Sequence, residues 1–149
     1  MESKPRDFIF ETKYWEIYLN PDQYYLGRCV VATKRDVGEM SLLTDEEWLD
    51  FADLVRKIES GFKKAFGATM FNWTCLMNNA YQKENPHPRV HWHLRPRYKN
   101  TAEFAGIKFE DKEFGHHYAR STESPVSEEI FNKIIKAIRN AVLNYLETR

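Results

Sequence analysis

The sequence contains no apolar run that approaches the ~20 residues needed to span a membrane as a helix. Its N-terminal segment, MESKPRDF, has no apolar stretch of the kind found in secretory signals. From these two absences we expect a cytoplasmic protein with no membrane partner.

Cysteine is scarce as well, because the 149 residues include only Cys29 and Cys75. Both lie in strand-like segments and lack the paired spacing of a disulfide or metal framework, so we interpret them as reduced core residues. No linker, repeat or low-complexity tract interrupts the chain. We therefore expect a single domain over 1–149, with its core at about 8–98 and a C-terminal extension over 99–149.

An excess of charge of either sign is absent too, since Lys and Arg total 22 and Asp and Glu also total 22. A broad basic surface for extended nucleic acid is therefore not expected. A local cationic pocket for a small anion is compatible with this composition.

Patterns of apolar residues predict strands in the first third of the chain. Residues 8–10 lead into a strand over 13–19, and a turn follows at 20–22. Residues 24–33 are rich in aromatic and β-branched side chains and predict a further strand, interrupted at Gly27.

The first helix is predicted to begin after Thr44 and to end at Gly67. Thr44 is a favourable N-cap, and Glu47 completes a capping box with it. Apolar side chains then recur at helical spacing and indicate a stripe that faces the core. The stripe consists of Trp48, Phe51, Val55, Ile58, Phe62 and Phe66.

The second half of the chain predicts a strand over 69–78, a polar loop over 79–88, and a helix over about 125–147 with Pro125 in its first turn. Residues 99–123 follow no recognisable period. The order of strands, helix, strands and helix indicates an α+β domain in which the helices pack on an antiparallel sheet.

Residues 89–97, Arg-Val-His-Trp-His-Leu-Arg-Pro-Arg, form the most informative segment. In a strand, alternate side chains share a face, so this segment presents one basic and one apolar face. The basic face consists of Arg89, His91, His93, Arg95 and Arg97, and the apolar face of Val90, Trp92, Leu94 and Pro96. Two imidazoles among three guanidinium groups suit an anionic substrate such as a phosphate ester, which a histidine would attack or protonate.

The residues alone leave two other interpretations of His91 and His93 open. The pair could be purely structural, or it could chelate a metal ion together with a third histidine. The candidates for that third ligand are His87, His116 and His117. Against a metal, Arg89 and Arg95 would place fixed positive charge beside a dication. The same arginines favour neutral imidazole, the form that attacks phosphorus.

The segment resembles the hallmark of the histidine triad (HIT) hydrolases and transferases, in which three histidines stand at alternate positions. His91 corresponds to the middle histidine, the family's nucleophile, and His93 to the third, whereas Arg89 replaces the first. The resemblance covers about 8–98 and implies a HIT-like antiparallel sheet with a long central helix and a C-terminal helix.

Other positions also carry the resemblance. Asn20 resembles the family's ribose-contacting residue, and Arg28 replaces the histidine of its Gly-His pair. Asn78 resembles the Asn or Gln beside the phosphate, and Asn85 falls where the family often has Gln along the phosphate chain. Pro86 stands where members often have a Ser or Thr that assists the leaving group. Because proline donates no hydrogen bond, the leaving-group preference is open.

The resemblance implies a nucleotide hydrolase or nucleotidyl transferase that acts on dinucleoside polyphosphates or nucleoside phosphoramidates. His91 would form a covalent nucleotidyl intermediate, while His93 and Arg89 would stabilise charge on the phosphate. No metal or cofactor would be needed, and a homodimer is implied. The alternatives are a catalytically weak nucleotide-binding protein on the same scaffold, or a metal-dependent enzyme that uses His91 and His93.

Arg97, His87 and the segment 109–118 lie outside the positions that carry the resemblance. Arg97 is predicted to be a surface or dimer salt-bridge residue, and His87 to be solvent-exposed unless it substitutes for the missing first histidine. The segment 109–118 is predicted to pack against the sheet. In the alternative it forms a lid from which His116 or His117 reaches the leaving group.

Overall fold

The computed structural model describes residues 3–117 and 123–147. In these ranges the strands are β1 (Phe8–Glu11), β2 (Trp15–Leu19), β3 (Cys29–Thr33), β4 (Met70–Thr74), β5 (His91–Arg97), β6 (Ala102–Phe104) and β7 (Ile107–Phe109). The α-helices are α1 (Asp45–Phe66) and α2 (Glu128–Glu147), and short 3-10 turns cover Met40–Leu42 and Asn78–Gln82.

Five strands form one antiparallel sheet in the order β1-β2-β3-β5-β4, and β6 and β7 form a separate hairpin. Helix α1 packs on α2, and α2 packs in turn on β1. The predicted α+β class, with two helices and an antiparallel sheet, is therefore confirmed. Across 3–117 and 123–147, no helix combines the length and the apolar character that a membrane crossing requires.

The strand that carries the histidines, β5, lies inside the sheet between β3 and β4. Leu94 is fully buried, and Trp92 stacks on Phe51 of α1 with 5.0 Å between the ring centroids. The apolar face of β5 is therefore turned toward α1. Strand alternation then places His91 and His93 on the opposite face of the sheet.

Helix α1 begins and ends where the sequence predicts. The Thr44 side chain accepts a hydrogen bond from the Glu47 backbone N–H at 3.2 Å, which caps the first turn. Gly67 ends the helix in the left-handed conformation, at φ 74°. Ile58 and Phe62 of the predicted stripe are fully buried, so this helix covers the sheet with its apolar side.

The strand predicted over 24–33 begins only at Cys29. The residues before it form a turn, in which the Arg28 backbone N–H donates to the Tyr25 carbonyl at 3.0 Å. Gly27 occupies the left-handed region at φ 87°, which an L side chain rarely adopts. Aromatic content alone predicts a strand here, whereas the local turn ends it.

The second helix begins at Glu128 rather than at the predicted Pro125. Ser127 provides the cap instead, because its Oγ accepts a hydrogen bond from the Ile130 backbone N–H at 3.3 Å. Pro125 pairs with Asp22 in an isolated β-bridge, so the connection before the helix is extended and attached to the turn that precedes β3.

Arg97 lies in the interior, which makes the predicted surface position wrong. Only 2% of the residue is exposed. Its Nε lies 2.6 Å from Asp111 Oδ2 and its Nη2 lies 3.1 Å from Asp111 Oδ1, a two-point ion pair. The other guanidinium hydrogens reach the backbone carbonyls of Glu113, at 2.8 Å, and His116, at 3.0 Å, and the side-chain oxygen of Asn72, at 2.9 Å. The charge is thus fully compensated within the chain.

These bonds attach the segment after β7 to the central sheet. The part of this segment that the structure describes, 109–117, packs against β5 through Arg97 and Asp111, in agreement with the prediction of packing. Tyr118, the last residue of the predicted segment, lies outside the described residues.

Candidate active site

A cavity of about 810 Å³ opens on the face of β5 that carries the histidines. Most of the predicted site residues line this cavity, namely Arg28, Asn78, Arg89, His91 and His93. They come from β5 and the second residue before it, from the turn that leads into β3, and from the 3-10 turn after β4. The fold therefore brings together residues that the sequence separates widely.

The tautomer of His91 is set by the backbone. Its Nδ1 lies 2.7 Å from the carbonyl oxygen of Arg89. Because a carbonyl oxygen can only accept, Nδ1 carries the hydrogen in this contact. The neutral ring then has its lone pair on Nε2, the atom a histidine nucleophile would use. Since residue 89 contributes its carbonyl here, an arginine at that position still supports this tautomer.

His93 is held in the neutral form. Its ring lies edge-on to His91, with 5.0 Å between the centroids. Burial, together with the positive charges of Arg95, of Arg28 and of His91 when it is protonated, lowers the pKa of His93 to about 4. The imidazole is therefore uncharged at neutral pH, which favours a hydrogen-bonding role over ion pairing.

Three buried polar atoms beside the cavity have no hydrogen-bond partner among the described residues. They are Arg28 Nε, Thr74 Oγ1 and His93 Nδ1. A buried polar atom without a partner costs about 1–3 kcal/mol, so native proteins carry few of them. Their clustering at one cavity indicates a site suited to a polar ligand.

Arg28 and Arg89, which the sequence resemblance predicts at two positions of family histidines, are held differently. Arg28 Nη1 forms a 2.9 Å ion pair with Asp22 Oδ2 at the cavity wall. Arg89 Nη2 donates to the carbonyls of Thr33 and Lys34, so this guanidinium is partly engaged with the backbone that leaves β3. Both arginines line the cavity, but neither is wholly available to a ligand without rearrangement.

The predicted asparagines separate into two groups. Asn78 lines the cavity and is the first residue of a 3-10 turn. The strand predicted to reach residue 78 ends at Thr74 instead. Asn20 lies outside the cavity lining, and its Oδ1 accepts the backbone N–H of Asp22 at 2.9 Å. Asn85 is exposed in the loop before β5 and also lies outside the lining. The substrate contacts predicted for these residues stay predictions.

His87 occupies the exposed position predicted for it. Its Nε2 lies 2.8 Å from Asp36 Oδ2, and the residue does not line the cavity. In this arrangement it does not take the place of the missing first histidine. Within the described ranges, no group of three or more His, Cys, Asp or Glu side chains is arranged to hold a metal ion.

Several cavity residues were not identified from the sequence. The sequence predicts only a turn at Asp22, yet Asp22 pairs with Arg28 at the cavity wall. Thr74 lies opposite His93 in the β4–β5 register, a pairing that only the assembled sheet defines. Glu123 reaches the cavity from the C-terminal extension, where the sequence shows no period.

The state of His93 can be tested by titration. We expect its imidazole to protonate near pH 4, and Arg95→Gln to raise this pKa toward the ordinary 6.5, because removing a nearby positive charge favours the protonated ring. Folding disfavours the charged form of His93. Its effect on the free energy of unfolding is therefore absent above pH 6.5, and the protein becomes less stable as the pH falls from 6.5 toward 4. NMR of the ring protons measures the pKa. Lys133→Gln, on α2, is the control and should leave it unchanged, whereas a His93 that titrates near 6.5 in the unaltered protein would contradict this description.

A family model described as HIT domain matches residues 2–100. The chain belongs to the histidine triad family. This confirms the resemblance first seen in the alternating His91 and His93. Membership in this family suggests nucleotide binding and a hydrolase or transferase activity. No curated protein matches the chain significantly.

Solved histidine triad structures share the fold. One from Marinobacter aquaeolei VT8 has a TM-score of 0.69 at 16% identity, covering 93% of this chain and 90% of that chain. One from Sinorhizobium meliloti 1021 has a TM-score of 0.68 at 19% identity, covering 91% and 90%. A zinc-bound family protein from Mycobacterium smegmatis has a TM-score of 0.65 at 17% identity, covering 98% and 90%. At these identities the likeness concerns the fold alone.

Proposed function

We propose that this HIT protein hydrolyses or transfers nucleotidyl groups from dinucleoside polyphosphates or nucleoside phosphoramidates, with His91 as the nucleophile. The observation that carries the proposal is the bond from His91 Nδ1 to the Arg89 carbonyl, made by a residue that lines the cavity. It leaves the Nε2 lone pair for attack on phosphorus. The charge on the cavity supports the same class of substrate.

The reaction takes place in two displacements. His91 Nε2 attacks the α-phosphorus and expels the leaving group, which forms a nucleotidyl-imidazole. Water, or a phosphate acceptor, then attacks the same phosphorus and regenerates the histidine. The pentacoordinate phosphorus of each step carries negative charge on its non-bridging oxygens. Donors from His93, Asn78 and Arg89 stabilise that charge, each by about 3 kcal/mol when well aligned.

The charges around the cavity favour an anionic substrate. Arg28, Arg89 and Arg95 line it, against the carboxylates of Asp22 and Glu123. Because His93 is neutral, the excess of positive charge comes from groups that stay charged at every physiological pH. A polyphosphate chain, with several negative oxygens, suits such a wall better than an uncharged substrate does.

Two residues that lie outside the cavity lining complete the proposal. Asn20 is proposed to position the ribose, and Asn85 to contact the phosphate chain. Because neither residue lines the cavity in this structure, these roles require the turn at Asp22 and the loop before β5 to adjust when substrate binds.

A catalytically weak nucleotide-binding protein is the second candidate. One observation favours it: the Arg89 guanidinium is bonded to the carbonyls of Thr33 and Lys34, and it lies 3.9 Å from Glu16. An arginine engaged in this way contributes less to transition-state charge than one aimed at phosphorus. Nucleotide binding would then persist with little turnover.

We also propose a cytoplasmic homodimer. β4 is an edge strand of the five-stranded sheet, and Met70, its first residue, and Leu76, just after its end, are exposed large apolar residues. Exposed apolar side chains on an unpaired edge favour association with a second chain. Sedimentation equilibrium would measure the mass, and a monomer at all concentrations would contradict this part of the proposal.

The function is tested with two substrates, diadenosine tetraphosphate and adenosine 5′-phosphoramidate, each with and without a chelator. We expect release of adenine nucleotide from at least one substrate, unchanged by the chelator. Binding of both without turnover would support the binding-protein candidate. Turnover abolished by the chelator and restored by Zn²⁺ would instead favour a metal centre at His91 and His93. A histidine triad protein from Mycobacterium smegmatis is described as zinc-bound.

A further inference from the structure

The C-terminal segment contributes a histidine to the wall of the cavity. His117 lines the cavity, whereas the neighbouring His116 does not. The two residues follow each other in a segment that no sequence period describes, so only the fold separates their roles. Such a pair provides a matched comparison: one imidazole at the cavity and one outside it.

Arg97 fixes the backbone beside His117. Its Nη1 donates to the His116 carbonyl at 3.0 Å, and its Nη2 donates to the Glu113 carbonyl at 2.8 Å. The ion pair with Asp111 buries this guanidinium under the segment. The Tyr25 ring lies over the guanidinium carbon at 5.1 Å and closes the other side. The backbone of His116, which precedes His117, is thus held by contacts with the buried guanidinium.

The cavity needs a group that can release a proton to a basic leaving group. Arginine side chains do not release protons. His93 is neutral because burial lowers its pKa to about 4, and burial raises the pKa of Tyr25 to about 12. His91 is assigned to the attack on phosphorus. Of the described histidines that line the cavity, this leaves His117, and imidazole is the side chain best suited to proton transfer near neutral pH.

We propose that His117 acts as the general acid and base for the leaving group, an assignment that rests on the function proposed above. In the first step His91 Nε2 forms a bond to phosphorus as the phosphorus–nitrogen bond of a phosphoramidate breaks. The His117 imidazolium gives its proton to the departing nitrogen, which leaves as a neutral amine or ammonia. No other reactant is required.

The second step reverses the proton transfer. Neutral His117 takes a proton from water as the oxygen bonds to phosphorus, and the bond from phosphorus to His91 Nε2 breaks. The nucleotide leaves, His91 returns to its neutral tautomer, and His117 is again the imidazolium. The substrates that depend most on this residue are those with basic leaving groups, above all phosphoramidates.

The test compares two adenosine substrates that differ in the basicity of the leaving group. Adenosine 5′-phosphoramidate releases an amine that needs a proton, and the p-nitrophenyl ester of AMP releases a weakly basic phenolate that does not. For His117→Ala and His117→Gln we expect kcat/KM on the phosphoramidate to fall by about 10²-fold or more, the scale of general acid catalysis. On the p-nitrophenyl ester, kcat/KM of both variants should stay within about threefold of the unaltered protein, because kcat/KM reports the steps up to departure of the phenolate, which needs no proton.

His116→Ala is the matched control and should leave both substrates unaffected. Equal losses of kcat/KM on the two substrates in the His117 variants would mean a structural role, and no loss of kcat/KM on either would mean no role in the departure of the leaving group; each result overturns the assignment. If the unaltered protein cleaves neither of these substrates nor diadenosine tetraphosphate, the proposed function itself fails, whereas cleavage of diadenosine tetraphosphate alone would overturn only the assignment of His117. These results are distinguishable in a single set of assays.

Discussion

Replacement of His91 by alanine should reduce turnover of nucleotide substrates by about 10⁴-fold or more, while the protein stays folded. The expected loss is large because the Arg89 carbonyl holds the Nδ1 hydrogen of His91, which leaves the Nε2 lone pair for attack on phosphorus. Removing a covalent nucleophile eliminates the reaction path and leaves only the contribution of binding and charge stabilisation. Steady-state kinetics on the better of the two substrates measures the effect.

His87→Ala is the matched control for this variant. His87 is also a histidine near the start of β5, but it is exposed, pairs with Asp36 and does not line the cavity. We expect the His87→Ala protein to turn over its substrate at the same rate as the unaltered protein. A His91→Ala protein that is folded and retains a tenth or more of the turnover would exclude His91 as the nucleophile.

The second large effect concerns stability. Arg97→Met should lower the free energy of unfolding by about 3–5 kcal/mol, because it leaves the buried Asp111 carboxylate without its ion-pair partner. The carbonyls of Glu113 and His116 also lose their donor. Urea denaturation followed by tryptophan fluorescence measures the change as a shift in midpoint at constant slope.

Two further variants identify the cause of that loss. Arg97→Met combined with Asp111→Leu removes both charges, and we expect it to recover part of the stability, since a well-packed apolar pair replaces a buried ion pair at little cost. Lys133→Ala removes an exposed pair with Glu129 and should cost less than about 1 kcal/mol. If Arg97→Met were as mild as Lys133→Ala, the buried ion pair would not be a principal contact of this fold.

The parts of the molecule that the sequence predicts correctly depend on local rules. The period of two along residues 89–97 placed His91 and His93 on one face, because strand alternation needs only the backbone. The capping box at Thr44 and the left-handed stop at Gly67 fixed helix α1 for the same reason, since each involves residues within one turn. The family resemblance added Arg28 and Asn78, which the structure places at the cavity.

The remaining features depend on contacts between distant segments. The burial of Arg97 requires Asp111, which lies in a stretch without any period, so an arginine at the end of a basic strand was predicted to be exposed. The contribution of His117 to the cavity depends on the same stretch, whose backbone Arg97 contacts at the preceding residue, His116. The late start of β3 at Cys29 reflects the turn closed by Arg28, which overrides the strand propensity of the aromatic residues before it.

The most direct test of the proposed function is detection of the covalent intermediate. The protein is mixed with adenosine 5′-phosphoramidate or diadenosine tetraphosphate, quenched within milliseconds in alkaline denaturant, and analysed by peptide mass spectrometry. We predict one adenylyl group on the peptide that contains residues 89–97, located at His91 and absent from His91→Ala. Turnover by the unaltered protein without any adduct, or an adduct that persists on another residue in His91→Ala, would contradict the histidine-nucleophile mechanism.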